Sequence, residues 1–244
     1  VRKLQTLKLS KMMMMTYRKM IIRRLFSTSR SLPQGFYVEI MEIHTKDLEP
    51  MNKRLLGPVS RFANETTKLP FVFLLGNHSS GKSTFVNYVL GRKVQHTGVA
   101  PTDDSFTVIA GGNSDMDQDG GSLVGDPDLG FSGLRRFGST FLTHLQYKVR
   151  SDLDVNDIMM IDSPGMIDSP SKNSSGQDRG YDFGGVAQWL AQRADVILLF
   201  FDPANPGTTG ETLATLTHAL QGSEHKLNLV LNKADSFTRM NDFR

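Results

Sequence analysis

Gly76-Asn77-His78-Ser79-Ser80-Gly81-Lys82-Ser83-Thr84 is the stretch whose residue types and spacing could do chemistry. A glycine, four residues and then Gly-Lys-Ser is the phosphate-binding spacing G-x-x-x-x-G-K-S. Glycine lets the backbone curl until successive N–H groups face phosphate oxygens, and a following helix N-terminus adds the positive end of its dipole. Lys82 would then reach the β- and γ-phosphates, and the Ser83 hydroxyl would hold Mg²⁺. A Gly/Ser-rich turn would account for the composition alone. The apolar run 71–75 before the loop and the amphipathic run 83–90 after it supply the strand–loop–helix context that the phosphate reading requires.

Two further clusters lie downstream in a telling order. Asp162-Ser163-Pro164-Gly165 closes an apolar strand at 158–161. There a carboxylate can bind Mg²⁺ through water, and the Gly165 N–H can meet a γ-phosphate. Between the first helix and a second strand at 106–110 runs a loop, 97–105, that should complete the metal shell with a hydroxyl. Thr102 is the candidate, with Thr97 and Ser105 as rivals, so the expected metal set is Ser83, Thr102 and Asp162. Asn232-Lys233-Ala234-Asp235 follows a strand at 227–231. Its Asp235 carboxylate can pair with the N1–H and exocyclic amine of guanine, and the Lys233 stem can cover the base face. Each cluster alone is a common turn. In this order, at strand ends, they predict a purine triphosphate site.

The elements that must position these residues follow from apolar periodicity. A fully buried strand is expected at 195–202, a helix with Phe183, Val186, Leu190 and Ala194 on one face, and another through Leu213, Leu216 and Leu220. Residues 134–145 read as helix, and 36–62 as a helical segment broken at Pro50 and ended near Gly57-Pro58. Residues 111–131 read as a long Gly/Asp-rich loop. Its Asp115, Asp117, Asp119 and Gly120 match half of a calcium-binding loop, with Asp126 at the twelfth position. Ser122 stands where such loops carry a hydrophobe, and neither flank reads as a clear helix, so a solvated acidic loop is the expectation. Residues 166–180 are a second polar loop.

Charge is unevenly distributed along the 244 residues. Residues 1–33 hold nine Lys/Arg and no acid, whereas the remaining 19 basic residues face 25 acidic ones, a net of −6. An acidic body argues against nucleic acid as a partner. The tail, basic and hydroxyl-rich, has the composition of a mitochondrial transit peptide initiating at one of Met12 to Met15. Untranslated sequence read through, or a basic arm on anionic lipid, are the blander readings. Cysteine is absent, which excludes disulfides and zinc–thiolate sites and fits a reducing compartment. No eighteen apolar residues run together. The expected organisation is a basic, disordered targeting segment at 1–33, a helical segment at 34–66 packing on the main domain, and the nucleotide domain at 67–244. A start at Val1 and a stop in a polar run at Arg244 suggest a piece of a longer chain, with the domain incomplete at its C-terminal side.

With these motifs assembled, the chain resembles dynamin-superfamily G domains, and most closely the EH-domain-containing (EHD) ATPases and sarcalumenin. Pro101-Thr102 with Asp104 and Phe106 resembles the P-T-T-D-x-F switch of that group. Asp126-Pro127-Asp128, then Phe137-Gly138-x-Thr140-Phe141-Leu142, and Arg179-Gly180-Tyr181-Asp182-Phe183 resemble its other signature words. The likeness runs from about Ile40 to Asp235. It implies an α/β P-loop NTPase G domain: a mostly parallel central sheet flanked by helices, here with an N-terminal helical segment. It also implies nucleotide hydrolysis with Mg²⁺, membrane lipids as partners, peripheral membrane location, and homo-oligomers formed through the G domain. Two positions depart from the pattern. Asp103 stands where the group has its second switch threonine, and His78 where classical dynamins have a catalytic glutamine. The EHD likeness implies ATP, whereas N-K-x-D favours GTP.

Overall fold

The computed structural model describes residues 39, 42–43, 46–47, 49–55, 67, 69–96, 105–166, 179–203 and 215–233. A short helix α1 (Glu49–Arg54) carries Pro50 in its first turn, where the missing N–H has no intrahelical acceptor to lose. β1 (Phe71–Gly76) leads through the loop into α2 (Lys82–Leu90), which Gly91 stops in a left-handed conformation. β2 (Phe106–Gly111), β3 (Met116–Asp119), α3 (Gly120–Gly125), α4 (Gly138–Thr143) and β4 (Leu145–Arg150) follow. Then come β5 (Met159–Asp162), α5 (Phe183–Arg193), β6 (Val196–Phe201) and β7 (Leu227–Leu231).

The seven strands form one sheet in the order β3-β4-β2-β5-β1-β6-β7. β5, β1, β6 and β7 run parallel, β2 meets β5 antiparallel, β4 is parallel to β2, and β3 closes the edge antiparallel to β4. The sheet is therefore mostly parallel, as expected. Register aligns Leu74 with Asp162, Gly76 with Phe200 and Phe201 with Leu231, so the carboxyl ends of β1, β5, β6 and β7 share one rim. In open α/β sheets that rim is where ligands bind.

Strand alternation fixes the two layers. Phe71, Phe73 and Leu75 face a core shared with Phe106, Leu134, Trp189 and Leu190, whereas Val72 and Leu74 face Val86, Val89 and Leu90 of α2. Every residue of β1 is buried, so the loop is anchored to the most enclosed strand. No helix among the described residues is long and apolar enough to cross a membrane.

Three expectations about secondary structure need correction. Residues 111–131 are not one loop: they contain β3, α3 and a 3-10 turn at Pro127–Leu129. Nor is 134–145 one helix. A 3-10 turn at Ser132–Phe137 ends at Gly138, whose φ of 86° breaks regular helix, and Leu145 already opens β4. The aspartates of the half-matched calcium loop have other partners. Asp115 pairs with Arg92 and accepts from Ser151, Asp117 pairs with Arg150 at 2.6 Å, and Asp119 caps α3 through the Ser122 N–H at 2.7 Å. Among the described residues no group of three or more acidic or histidine side chains is placed to hold a metal ion. The described part of the helix expected around 213–220 is a π-helical turn, Thr215–Ala219.

Candidate functional site

The loop after β1 needs its glycines for close approach. Gly76 has φ 151° and a Cβ there would lie 2.7 Å from the Phe200 carbonyl. Gly81 has φ 95°, and its Cβ would meet Asn232 Nδ2 at 2.0 Å. The Asn232 amide in turn donates to the Ser80 carbonyl at 2.8 Å, and its backbone N–H donates to the Phe201 carbonyl at 2.9 Å. The first and last sequence motifs are thus in contact. Ser79 itself is left-handed, at φ 56°.

Lys82 is buried, with its ammonium donating to the Gly76 and Asn77 carbonyls at 2.8 and 3.0 Å. Burial lowers its pKa to about 8; the nearby Asp162 works against the shift, and Arg179 adds to it. Ser83 Oγ donates to Asp162 Oδ2 at 2.8 Å, so the hydroxyl and the carboxylate expected to share a metal are already adjacent. Both are hard oxygen donors of the kind Mg²⁺ takes, and the buried hydroxyls of Ser80 and Ser163 have no hydrogen-bond partner among the described residues. The residues therefore fit a phosphate-bound Mg²⁺.

Gly165 packs on the loop. A Cβ there would sit 2.6 Å from the His78 ring carbon Cγ and 2.7 Å from the His78 nitrogen. Met166 N–H donates to the Gly76 carbonyl at 3.1 Å, and Asn77 bridges to Met166. Lys233, left-handed at φ 54°, pairs with Asp202 at the end of β6, at 2.5 Å. Thr97, Thr102 and Asp235 lie outside the described residues, as do Asp103 and Asp104; Ser105 directly precedes β2.

Sequence reasoning missed several contacts here. Gln95 Nε2 donates to Asp162 Oδ2 at 3.0 Å, and Arg179 donates to the Gly165 carbonyl at 2.6 Å while lying over the Phe183 ring. Arg179 could have been found, since it opens a signature word; Gln95 stands in no pattern. The signature words without obvious phosphate chemistry prove to be packing. Phe137 packs on Phe141 and Phe141 on Tyr181, and Phe106 packs on Phe141, Tyr181 and Phe183 with ring centroids 5.5 to 6.4 Å apart.

A parallel-sheet rim carrying this loop, an adjoining D-x-x-G and an Asn-Lys pair defines a P-loop nucleotide-binding domain. The model of the Dynamin family matches residues 72–234, most of the chain, and the chain belongs to that family. It is 32% identical to EH domain-containing protein 2 of Arabidopsis thaliana over 203 residues, covering 80% of this chain and 36% of that protein. EH domain-containing protein 2 of Homo sapiens is 36% identical over 168 residues, 68% of this chain and 30% of that protein. The chain thus spans about a third of the length of these relatives. A solved bacterial dynamin pair, described as sensing and tethering membranes, overlaps all of this chain and 38% of its own at 13% identity and a TM-score of 0.43. That likeness is too slight to carry an argument.

Proposed function

We propose that this chain is the purine-triphosphate-hydrolysing G domain of a dynamin/EHD-like protein that remodels membranes. One observation supports it best: Lys82, buried inside a glycine-walled loop, lies beside a Ser83–Asp162 pair on the carboxyl rim of the sheet. In this reading Gly76 to Thr84 cradle the phosphates, Lys82 neutralises them, and Ser83, Asp162 and Thr102 hold Mg²⁺. The metal would supply charge neutralisation on the phosphate oxygens. Gly165 would offer its N–H to the γ-phosphate. His78, packed against Gly165, would orient the attacking water in place of the glutamine of classical dynamins.

Asn232, Lys233 and Asp235 would read the base, and N-K-x-D favours GTP over ATP because a carboxylate complements guanine's two donors. Membrane lipids and further copies of the chain, docked through the G domain, are the proposed partners. Residues 1–33 are proposed to direct mitochondrial import.

Lys82→Ala should abolish binding of a fluorescent triphosphate with the fold intact, because it removes the cation that the loop encloses. Retained tight binding would refute the P-loop reading. One sequence feature favours a second reading, a nucleotide-dependent binding switch with little hydrolysis. Asp103 puts a carboxylate where related proteins carry a switch threonine, adding like charge near a γ-phosphate. Multiple-turnover assays separate the two, since the switch would bind triphosphate without releasing phosphate.

A further inference from the structure

Asp162 is held from a direction that its motif does not reveal. Gln95, 2% exposed, donates through Nε2 to Asp162 Oδ2 at 3.0 Å, the oxygen that also accepts from Ser83. The other end of the same amide, Oε1, accepts from Lys148 Nζ at 2.8 Å. A carboxylate only accepts and an ammonium only donates, so the two partners fix which way the amide points. Gln95 is itself clamped by α2. Asn87 Oδ1 accepts from the Val94 and Gln95 N–H groups at 2.7 and 2.8 Å, and Asn87 Nδ2 donates to the Gln95 carbonyl at 2.8 Å. Lys148 lies in β4, between Ile109 of β2 and Asp117 of β3. A chain of hydrogen bonds therefore runs from the outer strands of the sheet to the carboxylate beside the phosphate loop.

We infer that Gln95 is a positioning residue, anchored by Lys148, that holds the Asp162 carboxylate toward Ser83 and so sets the Mg²⁺ affinity of the nucleotide complex. This rests on the P-loop reading above. A carboxylate whose orientation is fixed by a buried donor keeps its oxygens aimed when a cation arrives. One without it must be ordered at that moment, and loss of such supporting groups typically weakens metal binding. The steric alternative, that Gln95 merely fills space, predicts no specific metal effect.

The test is the Mg²⁺ dependence of binding of a fluorescent GTP or ATP analogue by the whole chain. Gln95→Leu should raise the half-saturating Mg²⁺ by about tenfold to a hundredfold and leave affinity in excess EDTA unchanged. Gln95→Glu, of the same shape but without the donor, should lose as much. Lys148→Met should shift the dependence less and in the same direction, and should add nothing in the Gln95→Leu background, because both act through one amide. If Gln95→Leu fails to fold, the Glu and Lys148 variants carry the test alone. Mg²⁺ dependence like the wild type in these variants, or an equal loss in EDTA, overturns the inference and leaves the P-loop reading standing. A wild-type chain that binds neither analogue overturns both.

Discussion

Lys82 is a charged group in a place that disfavours charge. Its pKa is about 8 in the fold and 10.5 when unperturbed, with burial as the main cause. The sign follows from the direction of the shift. Below pH 8 the buried ammonium is a cost to the folded state, and the cost is relieved as pH rises from 8 toward 10.5. The full difference is roughly 3 kcal/mol as an upper figure, at about 1.4 kcal/mol per pKa unit. Triphosphate would restore the lysine's preference for charge, so binding should take up a proton once the free lysine has lost its own. Affinity for a fluorescent triphosphate should therefore fall by about tenfold between pH 7 and pH 9. In Lys82→Met, thermal stability at pH 7 should be no lower than in the wild type. Affinity independent of pH over that span would show that the ammonium is not what the phosphates meet. The same residues mark what was legible at this scale. Lys82, Ser83, Asp162 and Asn232 were readable because each has a fixed offset from a glycine or a strand end. Gln95, Lys148 and Asp202 were not, because a lone side chain meeting its partner across 53 or 67 positions leaves no spacing to read.

Elements were legible where burial was two-sided or periodic. β1, β5 and β6 are nearly continuous apolar runs, and α5 repeats its apolar face over three turns. β3 was hidden because Met-Asp-Gln-Asp is an exposed edge strand without an apolar alternation. β4 does alternate, with Leu145, Tyr147 and Val149 buried, but its first residue also completes a helical spacing with Leu134 and Phe141. The start of α5 was legible only as part of a signature word. Asp182 accepts from the Gly185 N–H at 2.9 Å and caps the helix that brings Phe183, Val186, Trp189 and Leu190 into the core. Asp182→Ala should cost about 1 kcal/mol, lowering the melting temperature by about 2–4 °C in a chain of this length. Triphosphate affinity should not change, since the Asp182 carboxylate is engaged by the Gly185 N–H. A loss of affinity larger than the loss of stability would place Asp182 in the site instead.

Over the whole molecule, charge rather than fold separates the parts. Nine cations without an acid occupy residues 1–33, and the rest of the chain is net −6. An acidic body is repelled by anionic lipid, whereas each basic residue near such a surface attracts it by about 1 kcal/mol. The tail could therefore serve either import or lipid contact, and the two uses leave different remainders. If residues 1–33 direct import and are removed, they contribute nothing to membrane contact by the mature protein. Residues 12–40 fused to a fluorescent reporter should then localise to mitochondria. Residues 34–244 should not sediment with phosphatidylserine vesicles at low salt, while still binding triphosphate as tightly as the whole chain. A cytosolic reporter, together with vesicle binding that depends on residues 1–33 and is lost at high salt, would make the tail a lipid-binding arm and end the import proposal.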